Sequence, residues 1–73
     1  MIFKEGDLVW LSYRRGQEYG LLRITGRKME GWNAREYLDP PVYYVVVVKN
    51  GERGEATSDI LVELNALERM AML

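Results

Sequence analysis

From residue 6 onward, short apolar runs alternate with polar or glycine-bearing breaks. Leu8 to Tyr13 follows Gly6-Asp7 and sets Val9 and Leu11 against Trp10 and Ser12, the period of two that marks a strand. Arg14-Arg15-Gly16-Gln17-Glu18 is polar and glycine-bearing, which predicts an exposed loop. Leu21, Leu22, Ile24 and Thr25 stand between Gly20 and Gly26, with Arg23 alternating outward, and predict a second strand that forms a hairpin with the first.

The pattern dissolves between Arg27 and Pro41, a segment too long for a minimal turn, with room for a helical turn over Asn33 to Leu38. Val42-Tyr43-Tyr44-Val45-Val46-Val47-Val48 then follows without alternation, and seven consecutive β-branched or aromatic residues predict a central strand buried on both faces. Asn50-Gly51 is the pair that a type I′ hairpin turn favours, so a fourth strand is expected over Arg53 to Thr57. Ser58 and Asp59 can open a single 3₁₀ turn before a last short strand at Leu61 to Leu64. Asn65 with Glu68 three residues later has the form of a capping box and predicts a terminal helix with Leu67, Met70 and Ala71 on one face. The alternative is one continuous helix from Asp59 to Met72, which Val62 and the polar Asn65 disfavour.

Composition narrows the function. With 73 residues the chain, 1–73, has room for a single domain and little room for a deep cleft. It is 48% hydrophobic and 29% charged, so a packed core is expected in place of disorder. The absence of cysteine and histidine removes disulfides, thiolate zinc sites, the commonest metal ligand and the commonest general base. Pairs such as Glu30 with Glu36, or Asp59 with Glu63, have no nucleophile or metal site beside them, so the expectation is a protein that is not an enzyme and uses no cofactor or metal. No apolar run reaches the roughly 18 to 20 residues that span a bilayer, and the first five residues do not resemble a signal peptide, so a cytoplasmic location with no membrane contact is expected.

Phe3-x-x-Gly6-Asp7-Leu8-Val9-Trp10-Leu11 near the start and Ser58-Asp59-Ile60-Leu61 near the end resemble the SH3-like small β-barrels, including the Tudor, PWWP and KOW domains. The resemblance implies a mostly β, five-stranded barrel over about residues 3 to 64, with a short C-terminal helix or 3₁₀ turn. In length and overall character the chain also resembles the small transcription regulators made by lytic phages that infect Xanthomonas. That resemblance implies a monomer in the host cytoplasm that binds the N-terminal region of the β′ subunit of bacterial RNA polymerase, inhibits initiation and promotes antitermination. It assigns no contact residue.

The residues themselves offer three candidate surfaces. Arg14, Arg15, Arg23, Arg27 and Lys28 face only Glu18 within residues 14 to 28, a basic cluster suited to carboxylates or phosphates; its bland reading is a solvated face. The net charge of −1 favours a protein partner and makes nucleic-acid contact, of the KOW kind, secondary. Trp32, after Gly31 in the long loop, is a candidate interface anchor, against which stands the reading that it covers an end of the barrel. Trp10, Tyr13, Tyr19, Trp32, Tyr37, Tyr43 and Tyr44 could form a Tudor-like cage for a methylated ammonium, though rings this numerous in a chain with one phenylalanine are more readily core. The partner-binding expectation therefore rests on Arg14, Arg15, Arg23, Arg27, Lys28 and Trp32.

Overall fold

A computed structural model of the chain describes residues 3–30, 36–37 and 40–71. Among these residues seven strands, β1 (Leu8–Leu11), β2 (Leu21–Arg27), β3 (Met29–Glu30), β4 (Glu36–Tyr37), β5 (Val42–Val47), β6 (Arg53–Thr57) and β7 (Leu61–Glu63), precede one short helix, α1 (Ala66–Ala71). Five of them form an antiparallel sheet in the order β6-β5-β2-β1-β7, and β3 pairs with β4 as a separate two-stranded ribbon. The protein is mostly β, as the sequence predicts. The arrangement is compatible with a small β-barrel, but among the described residues no ladder joins β6 to β7, so the sheet keeps two free edges.

Alternation along β1 explains the packing. Val9 and Leu11 point into the main core with Leu22, Ile24, Tyr43, Val45, Ala56 and Leu61. Leu8 and Trp10 point the other way, into a smaller cluster with Leu21, Val62 and Leu64. The first strand is thus covered on both faces, while the β5 and β6 end of the sheet is covered on one. Phe3 closes the main core, its ring edge-on to Tyr43 at 5.5 Å between centroids, and its buried N–H donates to Tyr43 Oη at 3.0 Å. The turn before β1 is built by Gly6, whose φ of +93° is a conformation that favours glycine, and by Asp7, whose carboxylate accepts the Lys4 N–H at 2.8 Å.

Four local expectations are corrected. β2 does not stop at Gly26 but runs to Arg27, because a register shift between Ile24 and Gly26 leaves Thr25 as an extra residue and lets the strand continue along β5. β5 is not buried on both faces and is not the middle strand: β2 holds the centre, and Tyr44 keeps 43% of its surface exposed because no second layer covers that face among the described residues. The turn at Asn50-Gly51 is longer than a two-residue type I′ loop. Its closing pair is Val47 and Glu52, with Gly51 N–H bonded to Val47 O at 2.8 Å and Gly51 at φ +75°. Glu36–Tyr37 is strand, not the helical turn expected there, and the rest of that turn lies outside the described residues.

Toward the C-terminus, Ser58–Ile60 forms the expected 3₁₀ turn between β6 and β7. The capping box is present: Asn65 Oδ1 accepts the Glu68 N–H at 2.8 Å, and the Glu68 carboxylate accepts the Asn65 N–H at 2.9 Å. Leu67 and Met70 on the helix point to solvent and stay outside the core. No helix among the described residues is long and apolar enough to cross a membrane.

Candidate functional site

The basic cluster of the sequence does not survive as one patch. Arg15 reaches across the fold to Glu68, 53 residues away, at 2.9 Å. Lys28 bonds both carboxylate oxygens of Glu55, at 3.1 and 3.2 Å. Those two cations are answered by acids from the C-terminal half, so part of the basic cluster is taken up by internal pairing. Lys49 with Glu18 and Arg69 with Glu63 add two exposed pairs of the same kind. Exposed pairs contribute little to stability, but they occupy the cation. The Lys28 ammonium is held above its ordinary pKa, first by the hydrogen bond to Glu55 and then by that carboxylate's charge.

Glu68 joins three elements. Its carboxyl is held below the usual value, mainly by the Asn65 backbone N–H and next by the Arg15 guanidinium. The Trp10 indole N–H adds a smaller pull on it, although that buried N–H makes no hydrogen bond of normal geometry. Arg15 therefore serves to tie the loop before β2 to the start of α1. Arg27 is half-buried at the end of β2 and already interacts within the fold, which makes it a poor candidate for an open contact. Trp32 lies outside the described residues.

What remains open sits on the uncovered sheet face. Arg23 points outward between the buried Leu22 and Ile24, directly across from Val46, and Val46 is directly across from Arg53. Adjacent strands lie about 4.8 Å apart, so the two arginines are about 10 Å apart across one row of the sheet. Among the described residues neither has an ion-pair partner. The next row sets Gly26, Tyr44 and Glu55 side by side, and the Tyr44 ring lies over Gly26, where an added Cβ would stand 3.7 Å from the ring. A groove of about 510 Å³ runs over this face, lined by Thr25, Tyr44, Val45, Val46, Arg53 and Gly54. Arg14 is also exposed, with its guanidinium 5.8 Å from the Tyr13 ring centre.

Arg53 is not among the residues that the sequence singles out. Its signal is available only through register: once the turn closes at Val47 and Glu52, Arg53 falls beside Val46 and shares a row with Arg23. The rings of Trp32 and Tyr37 lie outside the described side chains, and the other five are dispersed. Trp10 and Tyr43 are buried in different clusters and share no pocket, whereas Tyr13, Tyr19 and Tyr44 are exposed. No group of three or more acidic side chains among the described residues is arranged to hold a metal ion.

No protein-family model matches the sequence, and neither a curated protein nor a solved structure matches the chain. The case for a function therefore rests on the geometry of the uncovered face.

Proposed function

We propose that this chain is a small protein-binding module whose contact surface is the outward face of β2, β5 and β6. The observation that carries this is the pair of unpartnered arginines, Arg23 and Arg53, set on either side of Val46 beside the exposed Tyr44 ring. An exposed aromatic flanked by arginines is the residue mix that concentrates binding energy at protein interfaces. Among the described residues acids hold Arg15, Lys28, Lys49 and Arg69, and with a net charge of −1 this supports a protein partner ahead of nucleic acid.

The partner to test first is the N-terminal region of the β′ subunit of bacterial RNA polymerase, on the size and character this chain shares with small phage transcription regulators. In that role the module acts in the cytoplasm of the host, blocks initiation and promotes antitermination. Titration of isotope-labelled protein with a β′ N-terminal fragment should shift the resonances of Arg23, Tyr44, Val46 and Arg53, and Arg23→Glu should abolish binding. Shifts confined to other surfaces would refute the face, and no shifts at all would refute this partner. A salt-sensitive affinity for oligonucleotides, with no response to the β′ fragment, would instead favour the nucleic-acid alternative.

A further inference from the structure

The free edge of β6 adjoins the proposed face, and its backbone is addressed in a particular way. Val47 N–H donates to Glu52 O at 2.8 Å at one end of the β5–β6 ladder, and Ser58 N–H donates to Pro41 O at 2.8 Å at the other. Because hydrogen-bonded pairs alternate along an antiparallel ladder, Gly54 and Ala56 are the residues whose N–H and C=O groups face Val45 and Tyr43 on β5. The N–H and C=O groups of Arg53, Glu55 and Thr57 therefore point away from β5, toward the edge that no strand occupies among the described residues. Beyond this edge, on the inner side, lies a second cavity of about 200 Å³, lined by Leu11, Tyr13, Val47 and Ile60 on one part and by Gly54 and Ala56 on the other.

We infer that β6 receives an extended segment of a partner protein as an added strand, and that the segment alternates apolar residues with polar ones, one of them acidic. The inference rests on the protein-binding reading above and deepens it by specifying the ligand. Side chains opposite Gly54 and Ala56 enter the cavity between the sheet edge and Leu11, Tyr13 and Ile60; Gly54 leaves the space for them, since nothing lies within 4 Å of a Cβ placed there. The side chain opposite Arg53 stands on the outward face, where the guanidinium has no acid of its own, and a carboxylate satisfies it. The side chain opposite Glu55 must be neutral or cationic, because that carboxylate is already held by Lys28 and a second one beside it would be repelled. Main-chain hydrogen bonds to Arg53, Glu55 and Thr57 supply affinity, and the alternating side chains supply selectivity.

The probe is a synthetic eight-residue peptide alternating valine with threonine, with one threonine replaced by glutamate, compared with a counterpart carrying lysine there. Amide hydrogen exchange and chemical shifts are read on the intact labelled chain. On adding the glutamate peptide, the amides of Arg53, Glu55 and Thr57 should gain protection, whereas those of Gly54 and Ala56, already bonded to β5, should change little. The lysine peptide should bind roughly threefold to tenfold more weakly, the scale of exchanging an opposite for a like cross-strand charge. Arg53→Glu should reverse that preference. Glu55→Pro should abolish protection of the edge while leaving the β5 ladder intact, because the N–H it removes points outward. Binding without protection of the three edge amides, an unreversed preference in Arg53→Glu, or no binding at millimolar peptide would each overturn the inference. If the partner fragment shifts Arg23 and Tyr44 while the edge amides stay unprotected, the face remains the contact surface and only the added strand is lost.

Discussion

Gly20 is the residue at which a single methyl should do the most harm. It ends the 3₁₀ turn Glu18–Gly20, is buried, and faces the earlier turn Ser12–Arg14 across the loop. A Cβ at Gly20 would lie 2.0 Å from the Arg14 carbonyl oxygen, 2.8 Å from its carbonyl carbon and 2.8 Å from its Cβ. Two of these three atoms are backbone, so no side-chain rotation relieves the contact, and the loop must open by about 1 Å. The Arg14 oxygen also accepts the Gln17 N–H at 3.0 Å, a bond that such a shift strains or breaks. Overpacking costs about 1 to 3 kcal/mol, and a lost hydrogen bond about 1 kcal/mol. Against this stands a gain of about 0.4 to 1 kcal/mol, because alanine restricts the unfolded chain.

The net expectation for Gly20→Ala is a loss of about 1 to 3.5 kcal/mol, centred on about 2, a large share of the roughly 4 to 11 kcal/mol expected for a domain of this size. Urea denaturation followed by tryptophan fluorescence would read it, and the thermal midpoint should fall by roughly 10 to 20 °C. Gly16 is the internal control. Its φ is +81° and nothing lies within 4 Å of where a methyl group would stand, so its constraint is conformational and not steric. Asparagine, which tolerates that conformation, should be accepted at Gly16 and rejected at Gly20. A Gly20→Ala midpoint within about 0.5 kcal/mol of the parent, the usual range for a surface change, would refute the steric account.

Three further outcomes follow from the hydrogen bonds and the turn backbone. Because the Glu68 carboxyl titrates below its ordinary value in the fold, its support for the start of α1 is complete above the ordinary carboxylate range and is lost as the pH falls through the lowered value; amide protection at Glu68 and Arg69 should decline there, and Glu68→Gln, which keeps a cap but no charge, should remove that dependence. Tyr43→Phe should cost about 1 to 3 kcal/mol by leaving the buried Phe3 N–H without its acceptor, with faster exchange at Phe3 as the specific sign, and unchanged exchange there would count against the bond. Gly51→Ala should cost about 1 to 2 kcal/mol through its φ of +75° with no steric part, seen as a lowered denaturation midpoint that Gly51→Asn largely restores.

Much of the fold was legible because the signals are local. Val9 and Leu11 against Trp10, the apolar run that opens at Leu21 after Gly20 and the reciprocal Asn65 and Glu68 each specify their element within a few residues. The misreadings occur where a distant residue decides. Val42 to Val48 looks buried on both faces, yet among the described residues no segment covers Tyr44, and Val62 and Leu64 near the C-terminus pack with Trp10 and Leu21 instead. The basic cluster reads differently in the fold for the same reason. Arg15 and Lys28 look available until Glu68 and Glu55, far along the chain, are brought beside them. Arg53 escapes notice because its importance depends on sheet register, to which no local pattern points.

One uncovered face creates a hazard as well as an opportunity. A sheet with a bare edge and exposed Tyr44 and Val48 invites pairing between copies. The β6 edge resists this with alternate charges, Arg53 and Glu55, beside a glycine that provides no grip. Two copies meeting antiparallel, edge to edge, bring like charges together when the pairing is centred on Arg53 or on Glu55. A heterologous strand with one acid placed opposite Arg53 and a neutral or cationic residue opposite Glu55 avoids that conflict. The same charge pattern that disfavours self-association therefore sets a condition on any strand admitted there, so specificity and solubility at this edge have one physical origin.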